Sequence, residues 1–274
     1  MKLHHEVLTA LDSTPSKTVL FVHGILGTGA NLRSHARRFI QAKPEYQAVL
    51  IDLRAHGDSQ GVEGADTVAS CAADLEQTAQ SLSVPVRAIV GHSFGGKVAL
   101  AYAGIAPELE AVMTLDSTPG TRIDARGSES TLQVITMLDG MERTWPSRDA
   151  FIAAVEGHGV ARSLGQWLAM NLEPRQGAFT FKLSMPRIHA LIDDYLAVDL
   201  WPAVADAART QQGPRIHLVV GTKSKVYSLE ELAHARELES QSAGHVTVDL
   251  LNAGHWVHVE DPQGLTDVLI NRLQ

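Results

Sequence analysis

Val86-Arg87-Ala88-Ile89-Val90-Gly91-His92-Ser93-Phe94-Gly95-Gly96 decides the fold. Its first five residues read as a strand near the middle of a sheet, largely apolar because both faces are covered. The G-x-S-x-G pentapeptide that follows opens onto a helical pattern from Lys97. A serine at such a strand-to-helix turn sits on a strained backbone with its hydroxyl held above the sheet. Its neighbours must be small, hence Gly91 and Gly95, and the next helix points N–H groups at it. Five residues of this form also arise by chance, so the context carries the weight.

Working outward, short β-branched runs alternate with helical spacing, the βαβ signature of a mostly parallel sheet with helices on both faces. Strands are predicted at His4–Thr9, Thr18–His23, Gln47–Leu53, Val86–Val90, Ala111–Leu115, Ile216–Val220 and Val246–Leu251. Helices are predicted at Asn31–Ala42, Thr67–Leu82, Lys97–Ile105, Leu229–Ser240 and Pro262–Leu273. From Thr121 to Trp201 the rhythm breaks into helical segments near Thr131–Glu142, Arg148–His158, Ala161–Asn171 and Pro186–Leu196, with a hairpin-like Phe179–Leu183. Met137, Met141, Trp145, Trp167, Met170 and Met185 fall there. These residues read either as a cap over the site or as the core of a helical subdomain packed on itself; methionine suits both.

With 274 residues, 45% of them hydrophobic, the chain suits one large α/β domain with an insertion. A net charge of −8 without a basic patch argues against a nucleic-acid partner. The single cysteine, Cys71, reads as a buried helix residue and demands no oxidising compartment. Met1–Ala10 lacks an apolar signal region and no run is long enough to span a bilayer, so a cytoplasmic protein is expected. No H-E-x-x-H, cysteine pair or phosphate-binding glycine loop occurs, and no metal or cofactor is expected.

A serine hydroxyl needs a base to take its proton, and the base needs a third group to fix its tautomer. In this topology the chain order is serine, acid, histidine. Val246–Leu251 runs into Asn252-Ala253-Gly254-His255-Trp256, which makes His255 the base, with His258 as competitor. The commoner place for the acid reads Gly221-Thr222-Lys223-Ser224-Lys225 and holds no carboxylate. Asp116, at the end of Ala111–Leu115, sits where α/β folds put their sites. An aspartate in Asp116-Ser117-Thr118-Pro119 could equally just cap its loop. Asp139, Asp193 and Asp194 read as solvated.

The oxyanion donors are expected to be the N–H groups of Phe94 and Ile25, with Leu26 in reserve, from His23-Gly24-Ile25-Leu26-Gly27. His23 is expected to brace that loop and His92 to point away from its neighbour Ser93. Asp52–Ser59 reads as a loop tied by its own charges, and Lys223 with Lys225 as an exposed turn or an anion attractor. Leu26, Met137, Met141, Trp145, Trp167 and Trp256 are the expected substrate contacts.

Four motifs in order, His23–Gly27, Asp52–Ser59, Gly91–Gly96 and Gly254-His255-Trp256, resemble the α/β-hydrolase superfamily over essentially the whole chain. Within it, Phe151–Leu172, Phe179–Phe181 and Ala253–Val257 are similar to the small YbfF-type esterases and the abhydrolase-domain-eleven group. The resemblance implies an α/β-hydrolase core over 1–120 and 202–274 with a helical cap over 121–201. It also implies a serine hydrolase for short or medium acyl esters or thioesters, with no cofactor. In the bacterial branch the acid follows the same earlier strand, which supports Asp116. Lys223 departs from the commoner pattern. Alternatives are a hydrolase-fold receptor of small molecules, a cofactor-free haloperoxidase or perhydrolase, and carbon–carbon bond cleavage.

Overall fold

The computed structural model describes residues 2–122 and 129–274. The chain begins with β1 (His5–Leu8), β2 (Lys17–Val22), α1 (Arg33–Ala42), β3 (Tyr46–Ile51), α2 (Val68–Ala79), β4 (Val86–His92), α3 (Phe94–Ala103) and β5 (Ala111–Leu115). It then leaves the sheet for α4 (Glu129–Gly140), β6 (Thr144–Trp145), α5 (Arg148–Gly157), α6 (Arg162–Leu168), β7 (Leu172–Arg175), β8 (Ala178–Phe181) and α7 (Met185–Ala197). It returns through α8 (Trp201–Thr210), β9 (Arg215–Gly221), α9 (Leu229–Gln241), β10 (Val246–Leu251), α10 (Val257–Glu260) and α11 (Pro262–Arg272).

Seven strands form one sheet in the order β1-β3-β2-β4-β5-β9-β10. Only β1 runs antiparallel, with His5 opposite Ile51, and every other pair is parallel. The period of two along each strand splits the core between two faces. Val19 and Phe21 pack with Phe39, Ile40, Leu265 and Leu269 of α1 and α11. Leu20 and Val22 pack with Leu75, Val98 and Leu100 of α2 and α3. Both faces are thus covered, which explains the near-continuous apolar runs of β2 and β4. The carboxyl ends of β2, β4, β5 and β10 open onto one rim.

The segment between β5 and α8 carries a second, antiparallel sheet in the order β6-β8-β7, with Trp145 opposite Phe179. Polar contacts fasten it to the core. Arg187 on α7 grips Asp66 at 2.6 and 2.8 Å, and the Val68 N–H donates to Asp194 Oδ2 at 2.7 Å. Asp194 is therefore a docking group rather than a solvated one.

Two strands, Ala111–Leu115 and Val246–Leu251, have the bounds their apolar runs predict. The stretch Asn31–Ala42 splits into a 3₁₀ turn, Gly29–Leu32, followed by α1, and Ala161–Asn171 splits into α6 and the 3₁₀ turn Ala169–Asn171. The hairpin at Phe179–Leu183 is wider than its sequence suggests and gains a third strand. Helix α8 has no counterpart in the sequence reading. Residues 123–128, part of the expected cap, lie outside the described residues.

Candidate active site

The elbow has the geometry that its spacing demands. Ser93 sits at φ 51°, ψ −118°, a left-handed conformation costly for a side-chain-bearing residue. A methyl group on Gly91 would fall 2.0 Å from the Gly95 carbonyl oxygen, and one on Gly95 would fall 2.5 Å from that of His23. Only glycine permits these approaches.

Asp116 also has positive φ, 47°, and its side chain is fully buried. Its Oδ1 accepts the Gly221 N–H at 3.0 Å. Its Oδ2 accepts the Ser224 hydroxyl at 2.6 Å and His255 Nδ1 at 2.8 Å. A carboxylate only accepts, so Nδ1 of His255 carries a proton, and in the neutral ring the lone pair is on Nε2. The turn that lacks the commoner carboxylate thus contributes Ser224 to hold the carboxylate of the neighbouring strand. Lys223 and Lys225 in that turn are exposed and outside the cavity.

Ser93 and His255 line one cavity of about 160 Å³ together with Gly24, Ile25, Leu26, His92, Leu164, Trp167 and Trp256. Among the described residues the Ser93 hydroxyl makes no side-chain hydrogen bond, to His255 or to any other group. Such bonds are often loose without substrate and tighten in the complex. The histidine loop itself is held firmly. Glu260 accepts the N–H groups of Gly254 at 2.8 Å and Trp256 at 3.3 Å, and His92 Nε2 donates to the His255 carbonyl at 2.9 Å.

His92 stands beside the histidine loop. Its ring lines the cavity 4.9 Å from that of His255, and burial keeps it neutral by driving its pKa well down. It lies close to the loop after β2, since a methyl on Gly24 would sit 3.1 Å from His92 Nδ1 and 3.4 Å from Ser93 Cβ.

That loop is fixed by two neutral histidines. His23 donates through Nδ1 to the Gly24 carbonyl at 2.7 Å and accepts the Leu53 N–H on Nε2 at 3.0 Å. His56 donates to the Arg54 carbonyl at 2.9 Å and accepts the Leu26 N–H on Nε2 at 3.0 Å. Burial lowers the pKa of both, that of His56 to about 3, so each keeps the lone pair it uses. The Leu26 carbonyl meanwhile accepts Asn171 Nδ2 at 2.9 Å. With its N–H spent on His56, Leu26 has none left for an oxyanion. Among the described residues the N–H groups of Ile25 and Phe94 have no partner.

The wider loop Asp52–Ser59 is tied as its charges suggest, with Asp52 accepting the Gly29 and Asp58 N–H groups and Arg54 paired with Asp74 at 2.6 Å. His4, Asp52 and Asp58 bring ligand atoms within 4.8 Å of one another, away from the cavity. Asp58 is already paired with Lys182 at 3.0 Å.

Of the expected substrate contacts, Leu26, Trp167 and Trp256 line the cavity. Met137, Met141 and Trp145 do not. They pack against the main core, with Trp145 edge-on to Phe151 at 5.5 Å and its indole N–H on the Glu142 carbonyl. These three are half-buried packing residues rather than cavity wall. Val134 and Leu164 occupy the wall assigned to them, on helix faces that spacing alone could not orient. His56, Asn171, Ser224 and Glu260 also escaped the sequence reading. Glu260 alone had a local signal, lying six residues beyond Gly254 on the same turn and short helix.

An elbow serine over the carboxyl ends of parallel strands, beneath a helical insertion, defines the class of the α/β hydrolases. The chain belongs to the alpha/beta hydrolase family, whose profile matches residues 19–268. It is 26% identical over 263 residues to the sn-1-specific diacylglycerol lipase ABHD11 of Mus musculus, spanning 93% of this chain and 80% of that protein. To esterase YbfF of Escherichia coli (strain K12) it is 23% identical over 269 residues, covering 97% and 96%. A solved marine microorganism esterase superimposes with a TM-score of 0.80 at 20% identity, covering 98% of both chains. Among the described residues no helix is long and apolar enough to cross a membrane.

Proposed function

We propose that this chain is a serine hydrolase of carboxylic esters, with Ser93 as nucleophile, His255 as general base and acid, and Asp116 as the group that fixes the imidazole. The observation that carries the reading is the His255 Nδ1–Asp116 hydrogen bond on an imidazole that shares its cavity with Ser93. His255 Nε2 takes the Ser93 proton as the hydroxyl attacks the ester carbonyl. The Ile25 and Phe94 amides receive the developing oxyanion, and His255 then protonates the departing alkoxide. Water activated by the same imidazole releases the acid and restores Ser93.

The esterase and lipase names of the relatives agree with this chemistry, and the mouse relative's name extends it to glycerol esters. The cavity is smaller than the roughly 300–1,000 Å³ of a drug-sized site, which favours short acyl chains. Thioesters fit the same mechanism. A fluorophosphonate probe is expected to label Ser93, located by mass spectrometry, and p-nitrophenyl butyrate to turn over faster than the laurate. Ser93→Ala is expected to lose both labelling and turnover. Retained turnover in that variant overturns the nucleophile, whereas labelling without repeated turnover points to a receptor.

A further inference from the structure

His258 lines the cavity although only 8% of its surface is exposed, and the triad reading leaves it idle. It lies three residues beyond His255, with its ring 4.6 Å from that of His92 and 5.8 Å from Trp256. Neither ring nitrogen has a hydrogen bond among the described residues. Nδ1 is sealed from solvent without a partner, whereas Nε2 is not so sealed.

An idle buried imidazole costs stability, so its retention on a cavity wall needs a reason. It is also held in place, because His35 of α1 donates through Nε2 to the His258 carbonyl at 2.8 Å. Burial, then the neighbouring His35 and His255, lowers its pKa to about 4. At neutral pH the ring therefore has one N–H and one lone pair. Leaving the lone pair on the sealed Nδ1 puts the proton on Nε2, the nitrogen that is not sealed from solvent.

Asn31, in the 3₁₀ turn that leads into α1, lines the same cavity. Its Oδ1 is spent on the Thr28 N–H at 2.7 Å, while Nδ2 has no partner among the described residues. Two side chains that each carry an N–H donor without a partner among the described residues thus line one cavity. The proposed mechanism identifies what enters it. His255 must protonate the leaving oxygen, so the alcohol portion of the ester lies on the His255 side, and His258 belongs to the same short segment.

Resting on the serine-hydrolase reading above, we propose that His258 and Asn31 form a subsite for an oxygen acceptor on the leaving group. The preferred substrates are then esters of alcohols bearing a hydroxyl, ether or carbonyl oxygen near the ester, rather than of plain alkyl alcohols.

The test is the ratio of kcat/KM for 2-hydroxyethyl butyrate to that for propyl butyrate, which differ by one hydroxyl in place of a methyl. The native enzyme is expected to favour the hydroxylated ester by roughly tenfold, the worth of one or two neutral hydrogen bonds. His258→Phe keeps a flat ring without the donor and is expected to bring the ratio to within about twofold of one. His258→Gln places an amide N–H near the Nε2 position and is expected to restore most of the preference. Asn31→Asp keeps the bond to Thr28, loses the donor and is expected to lower the ratio as well, which covers the case of a His258 variant that does not fold. Fluorophosphonate labelling of Ser93 reports on the nucleophile in every variant. A native ratio near one, or a ratio unmoved in His258→Phe that still labels, overturns the subsite alone. Hydrolysis surviving Ser93→Ala overturns the reading beneath it.

Discussion

Leu26 holds a left-handed backbone, φ 65°, that a branched apolar residue adopts only under constraint. The constraint comes from two sides. His56 takes its N–H, and Asn171, reaching in from the 3₁₀ turn after α6, takes its carbonyl. With both polar groups of this residue bound, the turn that the Gly27 N–H closes on the Gly24 carbonyl at 3.1 Å is held in place, and the Ile25 N–H within it has no partner among the described residues. Preorganised donors are worth on the order of 10²–10³ in turnover. His56→Leu removes one of the two holds and leaves a buried N–H unpaired. We expect kcat for p-nitrophenyl butyrate to fall about 10- to 100-fold with little change in KM; a kcat within twofold of native would mean the loop keeps its shape without His56. The sequence pointed to Ser93, His255, Asp116 and the Phe94 and Ile25 amides because each follows a strand end, and strand ends are marked by apolar runs. It did not point to His56 or Asn171, whose partner lies 30 and 145 residues away along the chain and has no local pattern. Met137, Met141 and Trp145 were misread for a related reason. Composition showed that the insertion holds large apolar groups, but not which helix face they occupy.

Helix α3 does more than present the elbow. Lys97, one turn into it, is fully buried, and its ammonium donates to the carbonyls of Gly120, Tyr195 and Val198 at 2.7, 2.6 and 2.8 Å. Gly120 lies where the chain leaves the sheet for the insertion, and Tyr195 and Val198 where it comes back. One cation therefore ties both stalks to the helix that follows Ser93. Burial lowers its pKa from 10.5 to about 8, a charge-burial cost of about 3 kcal/mol. Lys97→Met keeps the aliphatic stem and relieves that cost, but strands three carbonyls, two buried and one half-buried, at roughly 1–3 kcal/mol each. The carbonyls win, and we expect a net loss of a few kcal/mol in denaturant unfolding. Hydrogen exchange should quicken first at the backbone of Arg122 and Val198–Leu200. A variant as stable as the native chain would show that the stalks are held by apolar packing instead. The regular elements were readable because apolar period and strand length agree in β5 and β10. Helix α8 was not, although Pro202 marks its start. It sits in the first turn, where its missing N–H has no helical partner to lose. The two-residue β6 is shorter than any periodic signal.

Across the whole molecule, His23, His35, His56, His92, His217 and His258 are buried, and each has its pKa lowered chiefly by desolvation. Five of them, all but His217, surround the cavity or brace its loops, so the chemistry at the rim is built into the stability of the fold. In the unfolded chain each binds a proton below about pH 6.5. In the folded chain His217 and His258 resist protonation until about pH 4, and His56 until about 3. Between those limits the unfolded state holds more protons, so stability rises with pH; it is complete above about 6.5 and is lost as pH falls towards 4. Each such histidine contributes up to about 1.4 kcal/mol per pH unit within its window, so His217 and His258 alone remove about 3 kcal/mol between pH 6.5 and 5. Urea unfolding at pH 7.5 and at pH 5.0 should differ by at least that amount. His217 lies on β9, bonded to Thr247 at 2.8 Å and away from the cavity. His217→Gln keeps a donor there but cannot titrate, so it should flatten the slope by about one proton while leaving the pH dependence of Ser93 labelling unchanged. An equal stability at the two pH values would mean that these imidazoles take up protons in the folded state, and that water reaches them as it does not reach the core around them.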